Sequence, residues 1–137
     1  MKSAFRLFLF VSLLLLPSMA IAEFDRAPYK EITQAELVKN LEGNAGKKFK
    51  VTDVFNFCGS DFCAQILKTK INTREYYCFN IGTICLVRMY LKKNHPDAET
   101  LSSARKGDTV TVYGTFDFVG SNYIYIVADH VVVEKRK

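Results

Sequence analysis

The chain reads as mainly β with two short helices: a small antiparallel barrel of five to six strands, preceded by a capped helix and braced by disulfides. Three observations predict this class. Strand-like alternation recurs in six runs after residue 48, each bounded by turn residues. One well-signalled helix stands just before the first run, and a second, shorter one interrupts the runs. Four cysteines occur in a chain that opens with an export signal.

Of the 137 residues, the first 22 are expected to be removed. Lys2 and Arg6 form a positive start, residues 7–16 are apolar apart from Ser12, and Pro17 leads into the small-x-small site Ala20-Ile21-Ala22. That apolar run is too short for the ~20 residues that cross a bilayer. The absence of cysteine beside the cut gives no handle for a lipid anchor. The chain is therefore expected to be exported, periplasmic or secreted, with no transmembrane span once the signal is gone. The signal takes two of 19 basic residues and none of 14 acidic ones, leaving 17 against 14, a mild +3. Such a balance demands no nucleic-acid partner, and the basic end Lys135-Arg136-Lys137 reads as a solvated terminus.

Residues 23–31 (EFDRAPYKE) are polar and contain a proline, which predicts a flexible leader. Residues 32–137 then form a single domain. Thr33 and Glu36 make a capping box, with Ile32 and Leu37 as its hydrophobic staple. Ala35, Leu37, Val38 and Leu41 supply one apolar stripe, and Gly43 stands where a left-handed stop is needed, so a helix is expected over 34–42. From residue 48 the period becomes two: KFKVTDVFNF (48–57) and AQILKTKI (64–71) read as strands. EYYCFNI (75–81) and ICLVRMYL (84–91) follow, parted by Gly82, as one interrupted strand or as a hairpin. His95-Pro96-Asp97 opens a short helix that ends before Arg105-Lys106-Gly107-Asp108. The strands DTVTVYGTFDF (108–118) and NYIYIVADHVVVEK (122–135) close the chain as a hairpin around 119–121.

Six strands are too few for a typical immunoglobulin-like sandwich, and the sequence has no tryptophan. A helix inserted before the last two strands suits a five-stranded oligonucleotide/oligosaccharide-binding (OB) barrel. The closing stretch KGDTVTVYGTFDFVGSNYIYIVADHVVVEK resembles that of exported bacterial OB-fold proteins. The capped helix followed by GKKFKVTDVF is similar to the tRNA-anticodon-binding-like OB-fold family. The resemblance implies an OB-like barrel for 32–137. It does not imply tRNA binding, since a fold does not fix a function.

Cys58, Cys63, Cys78 and Cys85 are an even set in an exported chain, which predicts two bridges. A thioredoxin-like centre needs two residues between its cysteines, whereas CGSDFC holds four. A four-thiolate zinc site is the competing use. The pairing expected is 58–63 with 78–85, because each pair brackets a turn signal; the crossed pairing 58–85 with 63–78 stays open.

No nucleophile motif, metal-protease motif or phosphate loop is present, and His95 and His130 are tied by sequence to no carboxylate. No catalytic residue, metal ligand or cofactor is therefore assigned. Asp53, on the apolar parity of its strand, is the one odd carboxylate. The binding case rests on aromatics beside cations: Lys68, Lys70 and Arg74 next to Tyr76 and Tyr77, with Tyr113, Tyr123 and Tyr125 on the closing hairpin. Its competitor is ordinary burial of tyrosine rings in a small barrel. The expected function is a non-catalytic binding module of the cell envelope that holds a peptide, glycan or protein. The alternatives are an inhibitory or structural protein acting through its bridged loops, and a cysteine-based zinc or redox protein.

Overall fold

The computed structural model describes residues 23–58, 63, 71–72, 74–120 and 123–137. The expected strand over 64–71, the turn at 59–61, and Lys68 and Lys70 lie outside the described residues, except for Ile71. Among the described residues, six strands and three short helices follow in the order β1 (Lys30–Glu31), α1 (Gln34–Lys39), α2 (Leu41–Asn44), β2 (Lys48–Asn56), β3 (Tyr76–Ile81), β4 (Val87–Lys92), α3 (Ala98–Ser102), β5 (Thr109–Val119) and β6 (Tyr123–Glu134).

The strands form one sheet ordered β1-β2-β3-β4-β6-β5, and β5 also pairs with β2, so the pairings of the five long strands close a ring. The ring is uneven. β2 and β5 pair over seven positions from Lys48↔Thr115 to Val54↔Thr109, whereas β2 and β3 meet only at Phe55↔Ile81 and Asn56↔Asn80. Nor is it wholly antiparallel as expected, because β4 and β6 run parallel from Val87↔Ile124 to Tyr90↔Val127. The chain between them includes α3 and β5, long enough for the crossover that a parallel pair requires.

Inside the ring, alternate residues of every long strand meet. Val51, Ile81, Val87, Met89, Leu91, Val110, Val112, Phe116 and Ile126 are almost fully buried there, and Leu37 of α1 plugs one side. Each such side chain contributes about 1.5–3 kcal/mol by leaving water. Gly114 is required where β5 crosses the β6 bulge: an added Cβ would sit 2.3 Å from the Val127 carbonyl oxygen.

Thr33 caps α1 as expected, its Oγ1 accepting from the Glu36 N–H at 3.2 Å. The single helix expected over 34–42 is instead two pieces, which raises the helix count from two to three. Asn40 leaves helical geometry at φ −143° and its side chain accepts from the Gly43 N–H, starting a second turn. Runs 75–81 and 84–91 form a hairpin, with Tyr76↔Lys92 to Phe79↔Met89 in register and Gly82 at φ +84° opening the turn.

Two disulfides are present, and they join Cys58 to Cys85 and Cys63 to Cys78, correcting the expected 58–63 and 78–85. The hairpin explains why. Cys78 faces Tyr90 across it, while Cys85 lies in the turn beyond Ile81. At least three strand positions, roughly 10 Å, separate them, more than the ~7 Å Cα separation a bridge spans. Both bridges therefore tie the stretch after β2 to the hairpin.

The leader 23–31, expected to be flexible, is seated on the ring. Lys30 and Glu31 pair parallel with Phe49 and Lys50, and the Phe24 and Tyr29 rings lie 5.4 and 5.5 Å from that of Tyr113. Tyr113 thereby becomes buried.

Candidate functional site

The short β2–β3 pairing leaves an opening beside β3, and α3 packs next to it. Phe55, Tyr77, Cys78, Phe79, Leu101 and Ser102 line a small, mostly apolar cleft there. Phe79 and Leu101 form its buried floor, whereas the Tyr77 ring is 42 % exposed at its mouth. Tyr77 has the parity of Phe79 and Ile81, so its ring belongs to the inner side of the strand. It emerges because β2 has no partner residue for it in the short β2–β3 register. The Lys93 ammonium stands 5.5 Å from the ring centroid, a cation–π distance. A second depression lined by Glu75, Lys92, Lys93 and Asn94 adjoins it, and Arg74 is exposed one residue earlier. The arrangement suits a flat ring, sugar or aromatic, laid on Tyr77 with charged groups at its rim.

The other tyrosines named by sequence serve a different purpose. Tyr123 and Tyr125 share the outer face with Tyr90, where all three are buried and Tyr76 packs against them. The closing hairpin sets that face: Phe118 pairs with Ile124 and Val119 with Tyr123, which turns the tyrosines away from Phe116 and Phe118. The Tyr90 and Tyr123 hydroxyls bond at 3.1 Å, and the Arg88 guanidinium lies 4.2 Å from the Tyr123 ring. Burial pushes the Tyr90 phenol well above its ordinary range, helped by the Tyr123 bond, and burial raises Tyr125 as well. These phenols stay protonated and cement the sheet.

Tyr113 belongs to a third group, with Phe24, Tyr29 and His130. Phe24 stacks on the His130 ring at 4.5 Å, and the Tyr29 hydroxyl donates to Asp129 at 2.7 Å. Burial, then the Asp129 bond, raise the Tyr29 phenol far above its usual range. Sequence reading tied neither histidine to a carboxylate, yet Asp97 contacts both. Its Oδ2 takes His130 Nδ1 at 2.6 Å and the Val131 N–H at 2.9 Å. His95 Nδ1 accepts the Asp97 N–H, so its proton sits on Nε2 and is donated to the Asp129 carbonyl. Both histidines thus fasten α3 to the β6 bulge. The sequence signal was the N-cap aspartate of His-Pro-Asp, visible only as a helix start.

Asp108 of the Lys-Gly-Asp turn is a similar clasp. It accepts from the Arg136 and Arg105 N–H groups at 2.9 Å each, which hold its carboxyl below the ordinary value, with Lys135 assisting. Asp53 is exposed and accepts from the Val54 N–H. All four cysteine sulfurs are consumed in bridges, and no cluster of three His, Cys, Asp or Glu suited to a metal occurs among the described residues.

Of the candidate binding residues, the structure thus brings Tyr76, Tyr123 and Tyr125 together in a buried layer. It leaves Tyr77 and Arg74 near the cleft and sends Tyr113 to the leader. No family model and no curated protein matches the chain. Among solved structures it is similar to one described as "OBody AM3L15 bound to hen egg-white lysozyme", with a TM-score of 0.54 and 15 % identity over 80 % of this chain and 98 % of that one. At that identity the likeness is one of fold.

Proposed function

We propose that this chain is an exported, non-catalytic binding module, an OB-like barrel that holds a peptide, glycan or protein partner of the cell envelope at the Tyr77 cleft. The observation that carries the reading is a half-exposed aromatic ring over an apolar floor, with Lys93 against it and Arg74 and Glu75 nearby. The closed ring of pairings, with its parallel β4–β6 contact and inserted α3, supports the barrel assignment. Two disulfides support an oxidising compartment, and among the described residues no helix is long and apolar enough to cross a membrane. The non-catalytic part draws support from the histidines, whose described bonds are structural. The solved structure it resembles includes a complex with lysozyme, in keeping with a fold that can present a protein-binding face.

Capture from envelope extract with the wild-type chain and with Tyr77→Ala/Arg74→Ala tests this. The variant changes exposed groups and keeps its fold, and loss of roughly tenfold in capture is expected for an anchoring aromatic. A partner retained at wild-type strength would remove the cleft from consideration.

A further inference from the structure

At the end of β3 opposite Tyr77, exposed apolar side chains gather around the Cys58–Cys85 bridge. The bridge holds its Cα atoms 5.7 Å apart, so Phe57, next to Cys58, lies beside Ile84 and Leu86, which flank Cys85. Val54 joins them, since its carbonyl accepts from the Gly82 N–H at 2.7 Å. Phe57 is 78 % exposed and Ile84 53 %, the two highest values among large apolar side chains described. Lys106 and Arg136 share a cleft with Val54 and Thr83 at the same end. Arg105 and Lys137 adjoin them in sequence. Among the described residues the acidic neighbours are Asp53, turned onto Gly82 and the Val54 N–H, Asp108, whose carboxylate is taken up by the Arg105 and Arg136 N–H groups, and Glu134 at the exposed end of β6.

We infer that this end docks on an anionic membrane surface. The covalent bridge keeps Phe57 and Ile84 at the surface, and exposed apolar groups gathered at one end in this way mark an interaction site. Phe57, Ile84 and Leu86 stand on the loops beyond the strand ends, with Val54 on β2 below them, and the concave feature beside them is the cleft that holds Lys106 and Arg136. A bilayer needs no shape complement, so it fits this relief better than a folded peptide does. The apolar tips enter the headgroup boundary while Lys106 and Arg136 face anionic headgroups; the two signals together give binding that neither gives alone. The inference does not depend on the Tyr77 cleft.

The test uses the folded, disulfide-bonded chain with vesicles of equimolar phosphatidylglycerol and phosphatidylcholine, and with pure phosphatidylcholine vesicles. Co-sedimentation with the anionic vesicles alone is expected. Phe57→Ser/Ile84→Ser should reduce it roughly tenfold or more. Lys106→Glu/Arg136→Glu should do the same, at roughly fivefold per charge. Since the chain has no tryptophan, Phe57→Trp provides a reporter whose emission should shift to the blue on anionic vesicles. No co-sedimentation, equal partition into both vesicle types, or an unshifted indole emission from the Phe57→Trp variant overturns the inference. So does binding to a soluble acidic, leucine-rich peptide without binding to vesicles.

Discussion

Removing cysteines in chosen pairs distinguishes the observed connectivity from the sequential one in a single experiment. The Cys63–Cys78 bridge closes 15 residues and the Cys58–Cys85 bridge encloses it across 27. On the chain-entropy model the inner bridge is worth about 3 kcal/mol. With it closed, the outer loop is effectively shortened to about 12 residues, so the outer bridge also adds about 3 kcal/mol. Against a total stability of ~5–15 kcal/mol, losing both should leave much of the chain unfolded at 37 °C. Cys58→Ser/Cys85→Ser keeps a matched inner pair: no free thiol in denaturant, and a loss of about 3 kcal/mol in urea unfolding. Cys58→Ser/Cys63→Ser instead strands Cys78 and Cys85, which the hairpin holds too far apart to join. Its two thiols should titrate, and its stability should fall by about 6 kcal/mol. If that second variant oxidised internally and matched the first in urea, the geometric argument from the β3–β4 register would be refuted.

Gly114→Ala places a methyl group against the Val127 carbonyl at the bulge, where no flexible side chain can yield; a loss of about 1–3 kcal/mol is expected in chemical denaturation. Leu37→Ala, at a fully buried position, should cost about 2–5 kcal/mol. Asp108 has a folded pKa below its ordinary 3.8, so it contributes stability above that pH which is lost as the solution is acidified through the lower, folded value. Asp108→Asn should therefore flatten the acid limb of a Tm–pH curve. Tyr29, Tyr90 and Tyr125 are raised above 10.0, so their contribution is complete below about pH 10 and disappears as alkali ionises the unfolded chain first. Phenolate absorbance should lag that of free tyrosine and then appear together with unfolding, and Tyr29→Phe should remove one late-titrating phenol.

The alternation that marked β2, β5 and β6 was readable because each buries one face against a common core, and a period of two follows directly from that. The N-cap at Thr33 was readable because its chemistry is local. What sequence could not supply was anything set by partners distant in the chain. Asn40 fits a continuing helix in the apolar pattern, yet its side chain captures the Gly43 N–H and splits it. Residues 23–31 look like solvated leader because their charged residues dominate the composition, while Phe24 and Tyr29 find rings 84 or more positions away. The cysteine pairing failed for a related reason: turn residues between two cysteines say where the chain bends, not how far along a hairpin each sulfur sits. Tyr77 was named for its neighbours Lys68, Lys70 and Arg74, whereas the described cation against its ring is Lys93, supplied just after β4.

The tyrosines show why composition alone overstates a binding surface here. An aromatic side chain on the outside of a strand is accessible only if no other part of the chain covers it. Tyr113 is covered by the leader, and Tyr90, Tyr123 and Tyr125 cover one another with Tyr76 and Ile71 packed against them. In a domain this small, folding a second apolar layer onto the outside of the ring adds burial that the interior cannot supply, because surface grows faster than core as chains shorten. The Tyr90–Tyr123 hydroxyl bond and the bonds of Tyr29, His95 and His130 to Asp129 and Asp97 help make that layer tolerable, since those polar tips find partners. Among the described residues, the large apolar groups that remain exposed are Tyr77 where β2 and β3 part, Val54, Phe57, Ile84 and Leu86 around the Cys58–Cys85 bridge, and Val119 at the end of β5. On the readings proposed above, the interaction chemistry lies at Tyr77 and around the bridge, at opposite ends of β3.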